Sequence, residues 1–165
     1  MTSNSNKSST TKRGLGREYA FKFIYKHLLS DFSDEKHELL NDSKALEAAL
    51  NLFDQTFHEE DLEHTDNKID MNAKIFGKEL ILGSLKQEEK NSKIITPYLS
   101  NQNLEKVDKM NLAVLLMGAY EILNDTETSP GVFINEYVNI AKKYCPNDSQ
   151  GFINSILDKI AKDHR

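Results

Sequence analysis

A single cysteine, Cys145, stands in the whole chain. No internal disulfide can form, and the chain suits a reducing compartment, so we expect the cytoplasm. Three prolines and seven glycines leave few helix breakers in 165 residues. With Leu, Ile, Ala, Lys and Glu abundant, that scarcity predicts an all-α protein. No apolar run is long enough for a bilayer: the longest, Leu112 to Tyr120, has about half of the ~20 residues a membrane helix needs. The first residues are polar, so neither a signal peptide nor a membrane partner is expected. Signatures of chemistry are also missing. There is no Gly-rich phosphate loop, nucleophile elbow or metal cluster, so no catalytic residue, cofactor or metal site is expected. The run His58-Glu-Glu-Asp-Leu-Glu-His64-Thr-Asp66 reads as a solvated acidic loop: its two histidines lie six apart, whereas a helical zinc pair lies four apart. No histidine stands close to Cys145 in the sequence, and His27 and His37 have no assigned role.

What is present is charge, unevenly spread. Residues 1–26 carry six cations, Lys7, Lys12, Arg13, Arg17, Lys22 and Lys26, against one carboxylate, Glu18, a net of +5. The whole chain has a net charge of −5, so the remainder carries −10. A basic N-terminal arm on an acidic body suits a selective polyanion contact, although basic tails also occur simply as solubilising segments.

The length predicts one domain with one core. Residues 1–13 read as a disordered basic arm, since Ser, Thr and Asn dominate and no apolar anchor follows Met1. Residues 14–165 read as the helical domain, with subdomains of about 14–100 and 101–165. Helix one is predicted from Gly14 or Gly16 to Leu29, with Ala20, Phe21, Ile24, Tyr25 and Leu28 inward and Arg13, Arg17 and Lys22 reaching solvent. A second helix starts at Ser43, and a third covers Ile69 to Glu89. Gly83 within it costs ~1 kcal/mol against Ala and marks a close approach by a neighbouring helix. Ser92 is expected to cap a short helix bent at Pro97. The helix from Asp108 to Leu123 is apolar all round, which predicts burial or a partner surface.

The most patterned stretch runs from Thr128 to Ala161. Ser129 and Pro130 form a helix start. Ile134, Tyr137, Val138, Ala141 and Tyr144 recur at helical spacing, and Cys145-Pro146-Asn147 stops that helix. Asp148-Ser149 opens a second helix whose apolar face is Phe152, Ile153, Ile156, Leu157 and Ile160. Asn135 and Asn154, one on each helix, are expected to tie the pair together through their amides.

This hairpin resembles the C-terminal signature of the NusB family of transcription antitermination factors, which has the form V-x-I-N-E-x-V-x-x-A-K-x-[FY], a D-S turn, then F-V-N-G-V-L-D-K. The matching residues are Val132, Ile134, Asn135, Glu136, Val138, Ala141, Lys142, Tyr144, Asp148, Ser149, Phe152, Asn154, Leu157, Asp158 and Lys159. Pro97-Tyr98-Leu99, Ala119-Tyr120-Glu121, and Arg17-Glu18 with Ala20 and Tyr25 extend the resemblance over most of the chain from Arg17 onward. Residues 31–66 diverge. Gly14, Leu15 and Gly16 stand where the family often has more arginine.

The resemblance implies an all-α fold of about seven helices in two packed halves. It implies binding of boxA, a short single-stranded RNA element, together with the ribosomal protein NusE. That pair joins RNA polymerase and other Nus factors in an antitermination complex serving ribosomal RNA transcription, and some relatives form homodimers when free. The expected RNA contacts are Lys12, Arg13, Arg17, Lys22, Lys142, Lys143, Asp148 and Ser149. At the elbow, the helix N-terminus offers amides to a phosphate and Asp148 an acceptor to a base or ribose hydroxyl, flanked by Lys142 and Lys143. The plain alternative is that Asp148 or Ser149 only caps the helix. NusB-like domains also precede ribosomal RNA cytosine methyltransferases, but this chain ends at Arg165 without a cofactor loop. A second alternative, motivated by the thinned arginine block, is a protein-interaction scaffold with weak or lost RNA binding.

Overall fold

The computed structural model describes residues 4–28, 33–60 and 70–165, with side chains over 13–28, 36–55 and 70–165. The described residues form eight α-helices and two short 3-10 turns, with no strand among them. They divide into two compact units, Met1–Leu82 and Gly83–Arg165. The sequence placed its inner break near residue 100; the division falls within α4 instead.

The first unit contains α1 (Asn4–Leu28), α2 (Ser33–Asn41), α3 (Ser43–Glu60) and most of α4 (Met71–Lys86). Helix α1 begins at Asn4, inside the stretch read as a disordered arm. Its inward face is also turned from the expected one. Tyr19, Phe23 and His27 are buried along with Ala20, Phe21 and Ile24, while Tyr25 and Leu28 are only half-buried. Aromatic packing explains the turn: the Tyr19 and Phe23 rings meet Phe53 of α3 edge-on, at 5.2 and 5.3 Å between centroids. The Tyr19 hydroxyl donates to Asp54 Oδ1, and Lys74 Nζ of α4 approaches Asp54 Oδ2 at 3.4 Å. Two acidic residues start helices here. Asp42 Oδ1 accepts from the Lys44 amide at 2.9 Å, which sets the predicted start at Ser43. Asp70 Oδ1 accepts from the Asn72 amide at 3.0 Å where α4 opens at Met71; Ile69, the expected start, lies outside the described residues.

Helices α1 and α4 cross on glycine. A Cβ on Gly16 would lie 2.7 Å from the Ala73 carbonyl oxygen, and one on Gly77 would lie 2.8 Å from the Tyr19 ring. No side chain fits at position 16 without moving backbone, so the arginine missing there is a packing requirement.

The second unit contains the last turn of α4, then α5 (Glu88–Ile95), 3-10 turns at Thr96–Tyr98 and Leu104–Lys106, α6 (Lys109–Asn124), α7 (Pro130–Tyr144) and α8 (Ser149–His164). Gln87 interrupts the predicted long third helix. Ser92 is no cap: α5 begins at Glu88, and the Ser92 carbonyl accepts the Thr96 hydroxyl at 2.7 Å where the chain tightens around Pro97. Helix α6 is the axis of this unit. Asp108 caps it by accepting from the amides of Met110 and Asn111 at 2.9 and 3.2 Å. Leu112 through Ala119 are all buried, as is Ile122, so its all-round apolarity reflects burial and not a docking patch. Helices α5, α7 and α8 pack on it. Gly83 lies against the Tyr120 ring, the close approach its presence predicted, and Gly118 admits Leu157, whose methyls would lie 2.8 Å from a Cβ there.

Helix α8 buries Ile153, Ile156, Leu157 and Ile160 as expected, while Phe152, expected on the same face, is half-buried. Helix α7 does not follow its predicted face. It buries Phe133, Tyr137, Ile140 and Ala141, leaving Ile134 and Val138 half-exposed. The Tyr137 hydroxyl donates to buried Glu121 Oε2 of α6 at 2.5 Å. Ser129 precedes Pro130 as expected but makes no side-chain cap bond.

Candidate nucleic-acid interface

In the first unit the basic residues divide. Arg13 is exposed, with its guanidinium 5.6 Å from the Phe76 ring centroid. Arg17, expected to reach solvent, is only 4% exposed and lies over the same ring at 5.2 Å. A planar cation with a long stem is held well by such stacking, and this locks α1 to α4 at the Gly16 crossing, where Phe76 also lies. Lys22 is half-buried, and the side chain of Lys12 lies outside the described residues. The side chains of His58 to Asp66 also lie outside them. No group of three or more potential metal ligands occurs among the described residues.

In the second unit α7 ends at Tyr144, where the Cys145 amide donates to the Ala141 carbonyl at 2.9 Å. Pro146 cannot continue the helix, and its carbonyl accepts from the Ser149 amide at 3.0 Å, turning the chain into α8. Ser149 is buried beneath this turn. Asp148 is exposed and its carboxylate makes no cap hydrogen bond, so capping does not account for it. Its backbone (φ −89°, ψ 2°) lies outside the extended region that capping side chains require. Cys145 is half-buried; burial, with Asp108 adding repulsion, pushes its thiol up to about 11.

Asp148 and Ser149 line a cavity of about 340 Å³ together with Phe152, Lys106, Asp108 and Asn111. This space combines an aromatic face, a cation, carboxylate acceptors and one unused acceptor, since Asn111 Oδ1 is buried without a hydrogen bond. Those are the groups that stack on and hydrogen-bond an unpaired base. Sequence reasoning missed Lys106 and Asn111. Lys106 follows an irregular loop that includes Gln102 at φ 50°, where no periodicity exists to place a side chain.

Of the predicted corner, Asp148 and Ser149 line this cavity together, and neither Lys142 nor Lys143 is among its lining residues. Lys142 lines a separate groove of about 530 Å³ between α7 and α8. Lys143 Nζ lies 5.3 Å from the centroid of the neighbouring Tyr144 ring. Asn135 and Asn154 line the Lys142 groove as well; both are exposed, and no hydrogen bond ties them to the facing helix.

Comparison with known proteins agrees with this architecture. The model of the NusB family matches residues 15–162. The transcription antitermination protein NusB of Thermodesulfovibrio yellowstonii is 30% identical over 152 residues, spanning 92% of this chain and 93% of that one. Among solved structures, T. maritima NusB superposes with a TM-score of 0.67 at 27% identity, covering 92% of both chains. A crystal structure of antitermination factors NusB and NusE in complex with dsRNA gives a TM-score of 0.66, covering 92% of this chain and 97% of that one; at 21% identity it supports the fold alone. A match over nearly the full length, a full-length relative at this identity and the same helical architecture converge, and the chain belongs to the NusB family.

Proposed function

We propose that this chain is a transcription antitermination factor that binds boxA-type single-stranded RNA together with NusE, within the complex on RNA polymerase that serves ribosomal RNA transcription. Family membership over residues 15–162 carries this reading. The chain acts by binding and not by catalysis, and it works in the cytoplasm. No described helix is long and apolar enough to cross a membrane. RNA meets two regions. On α1, Lys12, exposed Arg13 and Lys22 supply phosphate contacts, while buried Arg17 positions that helix surface through Phe76. At the elbow, Asp148, Ser149 and Phe152 receive a base, with Lys106 providing positive charge. Lys142, on the other groove, is left out of this contact.

Filter binding of a boxA-like RNA, with and without NusE, tests the proposal. Lys12→Ala with Arg13→Ala should weaken binding to all RNA sequences and flatten the salt dependence, because each lost phosphate contact removes roughly one released counterion. Asp148→Asn should leave stability unchanged, since the carboxylate caps nothing. It should weaken binding of cognate RNA while leaving non-cognate RNA unaffected. An Asp148→Asn protein with unaltered affinity and discrimination would remove the elbow from the interface. Wild-type protein that binds neither RNA nor NusE at micromolar concentration would defeat the whole reading and favour the scaffold alternative.

A further inference from the structure

We infer that α5, with the 3-10 turn at Thr96–Tyr98, is a strap that opens apart from α6, α7 and α8 and takes one wall of the elbow cavity with it. The strap stands on its own observations; its bearing on RNA rests on the reading proposed above.

The first observation is a flaw at the centre of the strap. Asn91 and Ile95 are the two buried residues of α5, both at 0% exposure, one helical turn apart. Helix α5 packs on α6 and α8. Neither the nitrogen nor the oxygen of the Asn91 carboxamide has a hydrogen-bond partner. Burying such a group unpaired opposes closure, because water would satisfy it in the open form. Half of the inward face of α5 therefore favours release. By contrast, α6 buries ten of its sixteen residues, and α8 buries Ile153, Ile156, Leu157 and Ile160.

The second observation is how the ends are fastened. Gln87 (φ −100°, ψ 10°) breaks the chain between α4 and α5 and gives α5 no side-chain cap. Its side chain turns instead to Asn124 at the end of α6, in a reciprocal pair of amide hydrogen bonds at 3.2 and 3.1 Å. At the other end the Tyr98 hydroxyl donates to Asp163 Oδ2 at 2.7 Å and lies 3.1 Å from His164 Nε2, both in the last turn of α8. These are exposed side-chain hydrogen bonds, which water replaces at small cost. A short segment bounded by Gln87 and Pro97, latched at its tips and unpaired in its middle, has the properties of a unit that opens before the core.

The third observation links the strap to the elbow. Leu99 follows the 3-10 turn directly; its amide donates to the Thr96 carbonyl at 3.1 Å and its side chain is buried. Leu99, Ser100 and Asn101 line the elbow cavity. Release of the strap withdraws these three, while Ser149 and Phe152 stay with α8. The whole cavity exists only while the strap is closed. A ligand that needs the whole cavity binds the closed form and, by linkage, holds the strap shut.

Amide hydrogen exchange of the full chain, read residue by residue by NMR, tests this. The amides of Asn91, Thr96 and Leu99 all donate to backbone carbonyls. They should share one protection factor, at least about tenfold below that of Leu115 in the middle of α6. Asn91→Leu, which keeps the branched shape and removes the polar atoms, should raise all three together by about tenfold. Gln87→Ala and Tyr98→Phe, which remove the latches, should lower all three together by about threefold to tenfold. Tyr137→Phe should lower protection at Leu115 and leave the three unchanged, because strap opening does not break the bond to Glu121. A boxA-like RNA at about thirty times its Kd should slow the three amides about thirtyfold. Strap amides that match Leu115, or that follow it in Tyr137→Phe, would mean that α5 opens only with the core, and overturn the proposal. So would unrelated responses at Asn91, Thr96 and Leu99, a fall in protection in Asn91→Leu, or latch variants that change nothing. RNA that binds without slowing these amides overturns the link to the elbow. Protein that binds no RNA defeats the RNA reading, while exchange in the free protein still decides the strap.

Discussion

Acidification from pH 7 to pH 4 is expected to remove about 3 kcal/mol of folding stability through His27 alone. This imidazole is 1% exposed, and its ring lies 4.2 Å from Phe23 between centroids. Desolvation, then the positive charges of Lys26 and Lys36, lowers its pKa to about 4 from the ordinary 6.5. The fold therefore favours the neutral ring. Its contribution is complete above the unfolded pKa near 6.5 and is lost as pH falls toward the folded value near 4. Carboxylates titrate in the same range, so the measurement is a difference. Urea unfolding of wild type and His27→Leu at half-unit pH steps should give a gap that narrows by about that amount between pH 7 and 4. A gap independent of pH would mean that His27 titrates alike in folded and unfolded chains.

The second large effect lies at the centre of the other unit. Tyr137→Phe is expected to cost about 2 kcal/mol, because Glu121, a carboxylate buried on α6, loses the hydroxyl that donates to it. The substitution changes no ring volume and leaves the packing against α6 and α8 in place, so the cost isolates the hydrogen bond. Glu121→Gln should be tolerated better than Glu121→Leu if polar complementarity is what position 121 requires. A double-mutant cycle between Tyr137→Phe and Glu121→Leu, each of which removes the hydrogen bond, should return a coupling energy well above the few tenths found for independent sites. Additive effects would show that the short contact stabilises nothing.

The features that sequence made legible were those with one physical solution. Helix α8 repeats its isoleucines and leucine at a single helical register, and its buried face was readable directly. Gly83 is a helix-interior glycine whose only use was to admit Tyr120, and that too was readable. Helix α7 was not, because Val132-Phe133-Ile134 and Val138-Asn139-Ile140 offer two overlapping apolar stripes, and periodicity cannot choose between them. The choice is made by Tyr137 reaching Glu121 across the chain. Helix α1 was turned for the same reason: Tyr19 and His27 look polar in sequence yet pack beside Phe23. Helix α2 has few apolar residues, so no stripe announced it. In the candidate site, the elbow residues were recognisable from the family pattern. Their separation into two surfaces was not, because Lys142 lies on α7 and lines the α7–α8 groove, whereas Asp148 and Ser149 follow the turn and line the other cavity.

The position of Cys145 at that corner gives the protein a built-in reporter. A thiol held at about 11 by burial and by Asp108 is almost wholly protonated at pH 8, presenting about a hundredfold less thiolate than a cysteine of ordinary acidity near 9. Disulfide reagents attack the thiolate, so intact molecules react slowly, and molecules in which the end of α7 has opened react fast. With a single cysteine in the chain, the labelling clock reads one location only. Its rate measures how often the α7–α8 turn comes apart, and a ligand seated on either side of that turn should slow it.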